Sequence, residues 1–231
     1  MTFRLQKRPK MEIKPVAIFR SPLKEKFGIP RQAGIATALR GQVVLEPEFR
    51  SPEALRGLDG FDYIWLIWGF SLNHETAGSH LTVRPPRLGG NERIGVFASR
   101  SPFRPNPLGL SSVRIGSVDA LHGIINVLGA DLADGTPIYD IKPYVTYTDS
   151  HEEARSGFVD SHAWEGLEVE IPDDATAVFS AEELEALRQI LAEDPRPRYH
   201  DSEEKEYGLL FAGRTVKFKV KKNKLVLYSV E

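Results

Sequence analysis

Between residues 12 and 148 the chain is a succession of short apolar, β-branched stretches cut by proline and glycine, with no helical pattern long enough to alternate with them. Residues 14–20 alternate before the Ser21-Pro22 break, and residues 42–45 lie between Gly41 and Pro47. Residues 61–70 are aromatic and β-branched and read as a buried strand; 93–99, 110–118 and 123–128 continue the series. Ser51-Pro52-Glu53 supplies an N-cap, an N1 proline and a first-turn acid for a brief helix ending near Gly57. Many short strands with turn signals between them predict a sandwich or barrel. With no βαβ alternation and no GxGxxG between a strand and a helix, a Rossmann-type dehydrogenase or methyltransferase is disfavoured.

At 231 residues there is room for a second unit, and the pattern changes after an acidic, small-residue linker at 149–163. Leu167, Val169 and Ile171 alternate as a strand. Ser180 and Glu183 form a capping box, and Leu184, Leu187, Ile190 and Leu191 make one helical stripe that Pro195 ends. Alternating residues 215–221 and 224–230 around Asn223 read as a hairpin, so 164–231 is a small α+β domain. Residues 1–11 read as a frayed tail without the apolar core of a signal peptide. The longest apolar run, 63–70, is too short to span a bilayer, so no membrane partner is expected. There is no cysteine, which excludes disulfides, thiolate metal sites and a cysteine nucleophile and permits a cytoplasmic location.

Thirty basic and thirty-two acidic side chains leave a net charge of −2, which does not decide the partner. The distribution is more telling. Residues 82–111 hold five arginines (Arg84, Arg87, Arg93, Arg100, Arg104) against one acid, Glu92, with five prolines and four glycines. Proline and glycine describe shaped loops, and arginine forks onto phosphate or carboxylate and stacks on rings. Two arginine loops around one expected strand are a candidate site for an anionic or nucleotide-like ligand. The six histidines form neither HxH nor HExxH, so no metal site is expected, and Ser111 and Ser112 lack the GxSxG elbow of a hydrolase.

Asp131, beyond an expected strand and near Gly129, can accept hydrogen bonds from a ligand, whereas Asp134-Gly135-Thr136-Pro137 is a turn signature. Asp140, Lys142 and Tyr144 form a second polar cluster. The lysines at 217, 219, 221, 222 and 224 read as edge-strand protection before they read as a nucleic-acid surface. Arg196, Arg198 and Tyr199, stiffened by Pro195 and Pro197, offer guanidinium and ring together, as unstacked RNA bases and their phosphates require.

These motifs resemble the TsaA-like (TrmO) family of S-adenosylmethionine-dependent tRNA (adenine-N6)-methyltransferases. The matching segments are residues 19–27, Pro30-Arg31-Gln32, 82–91, 96–109, 134–144 and 194–199, nearly the whole chain from about residue 14. The resemblance implies a mainly β fold with an N-terminal single-sheet, non-Rossmann β-barrel over 12–148. It implies methylation of N6 of the threonylcarbamoyladenosine beside the anticodon of threonine tRNA, by a homodimer with its cofactor pocket near the subunit interface. Carried over by motif, the cofactor contacts are Gln32, Ala33, Gly34, Phe70, Ser71, Arg100, Leu110, Gly129, Ala130, Asp131 and Leu132. Arg100 and either Asp131 or Asp140 are candidates at the methyl-transfer centre, and Arg84, Arg87, Arg196, Arg198 and Tyr199 are candidates for tRNA contact. A non-catalytic barrel that binds RNA or S-adenosylmethionine is the alternative.

Overall fold

The computed structural model describes residues 11–73, 81–85, 92–161, 166–196 and 205–231. In chain order the first strands are β1 (Ala17–Arg20), β2 (Arg40–Leu45), β3 (Tyr63–Gly69), β4 (Thr82–Val83), β5 (Ile94–Gly95), β6 (Leu108–Asp119), β7 (Ile124–Leu128) and β8 (Pro137–Pro143). Six of them close a barrel in the order β1-β2-β7-β6-β3-β8, with antiparallel neighbours throughout, while β4 and β5 pair only with each other. The strand expected over 93–99 is shorter than its sequence pattern: only Ile94–Gly95 pairs, and Val96–Ala98 turn in a 3-10 step.

Strand β3 shows why the barrel forms. Its alternation sends Ile64, Leu66 and Trp68 into the core and turns Tyr63, Trp65 and Ile67 outward. The inward rows of the other strands add Ala17, Phe19, Val43, Val113, Ile125, Val127 and Ile138 to the same apolar cluster. Two large rings fit this small lumen because glycine faces them. A Cβ on Gly109 would lie 2.2 Å from Trp68 Cε2, and one on Gly41 would lie 2.3 Å from Phe19 Cζ. Replacing Gly109 by alanine is expected to cost about 1–3 kcal/mol, because a packed indole must shift to admit the methyl. A urea unfolding midpoint equal to that of the parent protein would show that the indole has room to move.

The second core is built by α3 (Ala181–Ala192) on a four-stranded sheet. Two short helices, α1 (Thr146–Asp149) and α2 (Asp173–Thr176), precede it, and β9 (Glu168–Glu170) lies between them. With β10 (Tyr207–Phe211), β11 (Arg214–Lys221) and β12 (Lys224–Val230), β9 completes the sheet order β10-β11-β12-β9, parallel to β12. Helix α3 starts at the expected capping box: the Glu183 N–H donates to Ser180 Oγ (3.2 Å) and the Ser180 N–H to Glu183 Oε2 (2.8 Å). Its buried stripe is Ala186, Leu187, Ile190 and Leu191. The lysine-bearing strand β11 is interior to the sheet, so the edge-protection reading fails. Its lysines stand on the outer face against carboxylates, with Lys217 at 2.5 Å from Glu231 and Lys219 at 2.9 Å from Glu206.

This second core does not belong to the C-terminal residues alone. Leu23, Ala36 and Leu39, all from the connection between β1 and β2, are buried in it. Phe27 stacks on Phe218 with centroids 6.3 Å apart, and Gly28, at φ +89°, presses so closely on Leu209 that a Cβ would sit 2.1 Å from Cδ1. No helix among the described residues is long and apolar enough to cross a membrane.

Candidate functional site

The antiparallel order brings three connections to one end of the barrel: residues 21–39, 70–107 and 129–136. The residues singled out in sequence at 32–34, 70–71, 100 and 129–132 all lie in these connections, and Leu110 follows just inside β6. The first and third are zipped by main-chain bonds. Gly34 N–H donates to Gly129 O at 2.8 Å, and Gly129 N–H donates to Leu39 O at 2.8 Å. Both glycines hold positive φ, +82° and +73°, which side chains rarely adopt, and a Cβ on Gly129 would already touch the Gly34 backbone at 3.5 Å.

Asp131 sits in this crossing. Its Oδ1 accepts from the Ser111 hydroxyl at 2.6 Å, and Ser111 Oγ in turn accepts from the Trp68 indole N–H at 3.0 Å. Burial pushes the Asp131 carboxyl above the usual carboxylate range. The Ser111 hydroxyl, the backbone amides of Asp131 and Ala33, and the charge of Arg100 oppose that rise without cancelling it. Arg100 reaches across to donate to Gln32 Oε1, and Gln32 Nε2 donates to Arg31 O at 2.6 Å. A buried carboxylate and a nearby guanidinium suit a ligand carrying both signs of charge. S-adenosylmethionine is such a ligand: Asp131 can meet its hydroxyl or ammonium groups and Arg100 its carboxylate.

The other candidates divide by which way the backbone turns them. The Ala130 and Leu132 side chains are buried in or against the barrel core, so only their main chain can meet a ligand. Phe70 packs edge-on to Trp68, centroids 4.4 Å apart, and Ser71 Oγ lies 3.4 Å from Thr136 Oγ1. Leu110 points out of the barrel and is 56% exposed. Leu110 and Asp140 flank Ile67 from either side in register, so Asp140 stands on the outer wall rather than beside Asp131. Its carboxylate accepts from Ile141 N–H at 2.9 Å and pairs with Lys142 at 3.0 Å.

Among the expected tRNA contacts, Arg84 is exposed, and Arg87, Arg198 and Tyr199 lie outside the described residues. Arg196 Nε and Nη2 clasp both oxygens of Asp194 at 2.8 and 2.9 Å, with both side chains mostly buried. Ser111 and Trp68 are the partners that sequence reasoning missed. The signal was a serine at an inward position between Gly109 and Val113, because a buried hydroxyl needs a partner.

Over residues 18–150 the chain matches the tRNA-methyltransferase O N-terminal domain, and over 165–231 the TrmO C-terminal domain. The chain belongs to the TrmO family. The tRNA (adenine(37)-N6)-methyltransferase of Escherichia coli K12 is 37% identical over 220 residues, covering 90% of this chain and 93% of that one. A Pseudomonas aeruginosa relative, 42% identical over 205 residues (85% and 87% of the two chains), is named provisionally as an S-adenosylmethionine-dependent methyltransferase. The crystal structure of TrmO from Pseudomonas aeruginosa superposes with a TM-score of 0.78 at 31% identity, over 96% of this chain and all of that one. This chain therefore shares its overall fold with that TrmO structure.

Proposed function

We propose that this chain is an S-adenosylmethionine-dependent tRNA methyltransferase acting on N6 of adenosine 37, the activity for which its Escherichia coli relative is named. The observation that carries the reading is the buried Asp131, joined to Ser111 and the Ala33 loop with Arg100 above it, at the barrel end where the three connections meet. The natural acceptor in this reading is the threonylcarbamoyl-modified adenosine of threonine tRNA, presented from the anticodon loop.

When bound, S-adenosylmethionine would supply an electrophilic methyl to N6, leaving S-adenosylhomocysteine, with the N6 proton released to solvent. The chain's own residues orient and shield. Asp131 would hold one end of the donor through a carboxylate whose other bonds, to Ser111 and the Ala33 amide, keep it from swinging. Arg100, held by Gln32, presents its charge to the same space. An anticodon-loop base can be splayed outward without melting a duplex, which lowers the cost of presenting it.

The homodimer belongs to the same proposal. Leu108 and Leu110 stand exposed on the outer wall, and Phe97 and Phe103 are exposed on the arginine-bearing connection. Leu110, which the resemblance counts among the cofactor contacts, turns its side chain outward, where a second copy would cover it.

Mass spectrometry of tRNA from a strain lacking this protein tests the activity: the threonine-tRNA adenosine is expected to lose one methyl, restored by the intact gene. Arg100→Ala is expected to weaken S-adenosylmethionine binding about tenfold or more, as for a lost charged hydrogen bond. Tight cofactor binding with no methylated tRNA would instead identify a binding barrel.

A further inference from the structure

We propose that the cleft beside Tyr139 is the acceptor subsite, which takes the purine ring to be methylated; this rests on the methyltransferase reading above. The cleft, about 470 Å³, opens at the same end of the barrel and is lined by Phe70, Ser71, Asn106, Pro107 and Tyr139 among others. Its size is in the range of small-molecule sites. Strand β8 aims one wall into it by a bulge. Trp68 pairs with Ile138 and Ile67 with Asp140, so Tyr139 is the extra residue and leaves the alternation of the strand. Its ring lies across Gly69, where a Cβ would come within 2.9 Å of the ring and 3.1 Å of the hydroxyl oxygen. Phe70 and Tyr139 thus offer aromatic faces, and the Asn106 amide, exposed at the rim, offers both a donor and an acceptor.

Charge separates this cleft from the Asp131 site. None of its lining residues is ionisable except the Tyr139 phenol, whereas the donor carries a sulfonium, an ammonium and a carboxylate. The uncharged purine ring of the acceptor fits uncharged walls that provide stacking and edge hydrogen bonds, with the threonyl carboxylate of the modified base outside the cleft. The two sites adjoin through Phe70 and Ser71, which the resemblance counts among the cofactor contacts; the Phe70 ring rests on Trp68, the residue that bonds Ser111 and through it Asp131. Methyl transfer needs such neighbouring subsites, one for each reactant.

A purine could also come from the cofactor's own adenosine, and the experiment separates the two sources. Asn106→Ala and Tyr139→Ala are made in the full chain, checked by thermal unfolding, and assayed for S-adenosylmethionine affinity and for methylation over a range of tRNA concentrations. The expected result is a fall of about tenfold or more in kcat/KM for tRNA, the loss of one stacked or edge-bonded base, with cofactor Kd within about twofold of the parent. If Tyr139→Ala fails to fold, Asn106→Ala, on an exposed rim residue, decides alone. A proportionate loss of cofactor affinity assigns the cleft to the donor and overturns the proposal. Unchanged tRNA kinetics in a parent that methylates overturns it too, leaving the enzyme reading intact. A parent that methylates no tRNA overturns both.

Discussion

Asp131→Asn is expected to resist unfolding better than the parent above neutral pH while methylating tRNA about 10- to 100-fold more slowly, the range for a lost charged hydrogen bond. The two effects share one cause. The parent keeps a carboxylate in a buried position, where burial raises its pKa despite Ser111, the Asp131 and Ala33 amides and Arg100. In the unfolded chain the same group titrates at its ordinary value. Between the two values the folded state holds more protons, so this group's contribution to stability is greatest below the unfolded pKa and falls as pH rises through the folded one. An asparagine does not ionise, and its side-chain oxygen can still accept from Ser111. The gap in urea midpoint between variant and parent is therefore expected to widen as pH rises from the ordinary carboxylate range through the raised value of the folded carboxyl. A gap that stays constant over that range would show that the carboxyl is not penalised by burial. Full methylation by the variant would remove Asp131 from the donor site.

The second large effect concerns residues far from Asp131 in sequence. A chain ending near residue 161 is expected to bind no S-adenosylmethionine and to lack a cooperative unfolding transition, although it contains every strand of the barrel. Without the C-terminal sheet, Leu23, Ala36 and Leu39 lose their cover. Exposing these three apolar side chains costs about 5 kcal/mol, a large part of what a domain of this size has to spare. The main-chain tethers go with them. Ala38 N–H donates to Gln189 Oε1 at 2.9 Å, Arg31 donates to Asp194 O at 3.3 Å, and Ala212 N–H donates to Pro22 O at 3.2 Å. Gln32, Ala33 and Gly34 lie between those anchors. In the full chain, Gln189→Ala removes only this side chain's two bonds to the connection, from Ala38 N–H and to Thr37 Oγ1 (3.3 Å), and is expected to weaken cofactor binding by about the worth of one or two hydrogen bonds, severalfold or more. Calorimetric titration of both proteins checks the pair, and a barrel fragment that binds the cofactor as tightly as the full chain would refute the dependence.

Much of this architecture was legible in residue order because the deciding interactions are local. Ile64, Leu66 and Trp68 alternate within one strand, and Ser180 and Glu183 cap a helix three residues apart. What escaped was set by distant partners or by broken alternation. Strand β8 went unread because its bulge at Tyr139 interrupts the two-residue period and its outer positions, Asp140 and Lys142, are polar. For Asp131 the sequence indicates a carboxylate near a glycine. Its burial depends on Ser111 and Trp68, 20 and 63 residues upstream in a closed sheet, and no local pattern encodes that.

The shared second core also bears on how members of this family can be recombined. A junction cut in the linker before residue 165 separates the two matched regions in sequence, but it leaves Leu23, Phe27, Ala36 and Leu39 facing a foreign sheet. The unit that can be exchanged intact is discontinuous: residues 21–39 must travel with the C-terminal sheet and helix α3 they were fitted to.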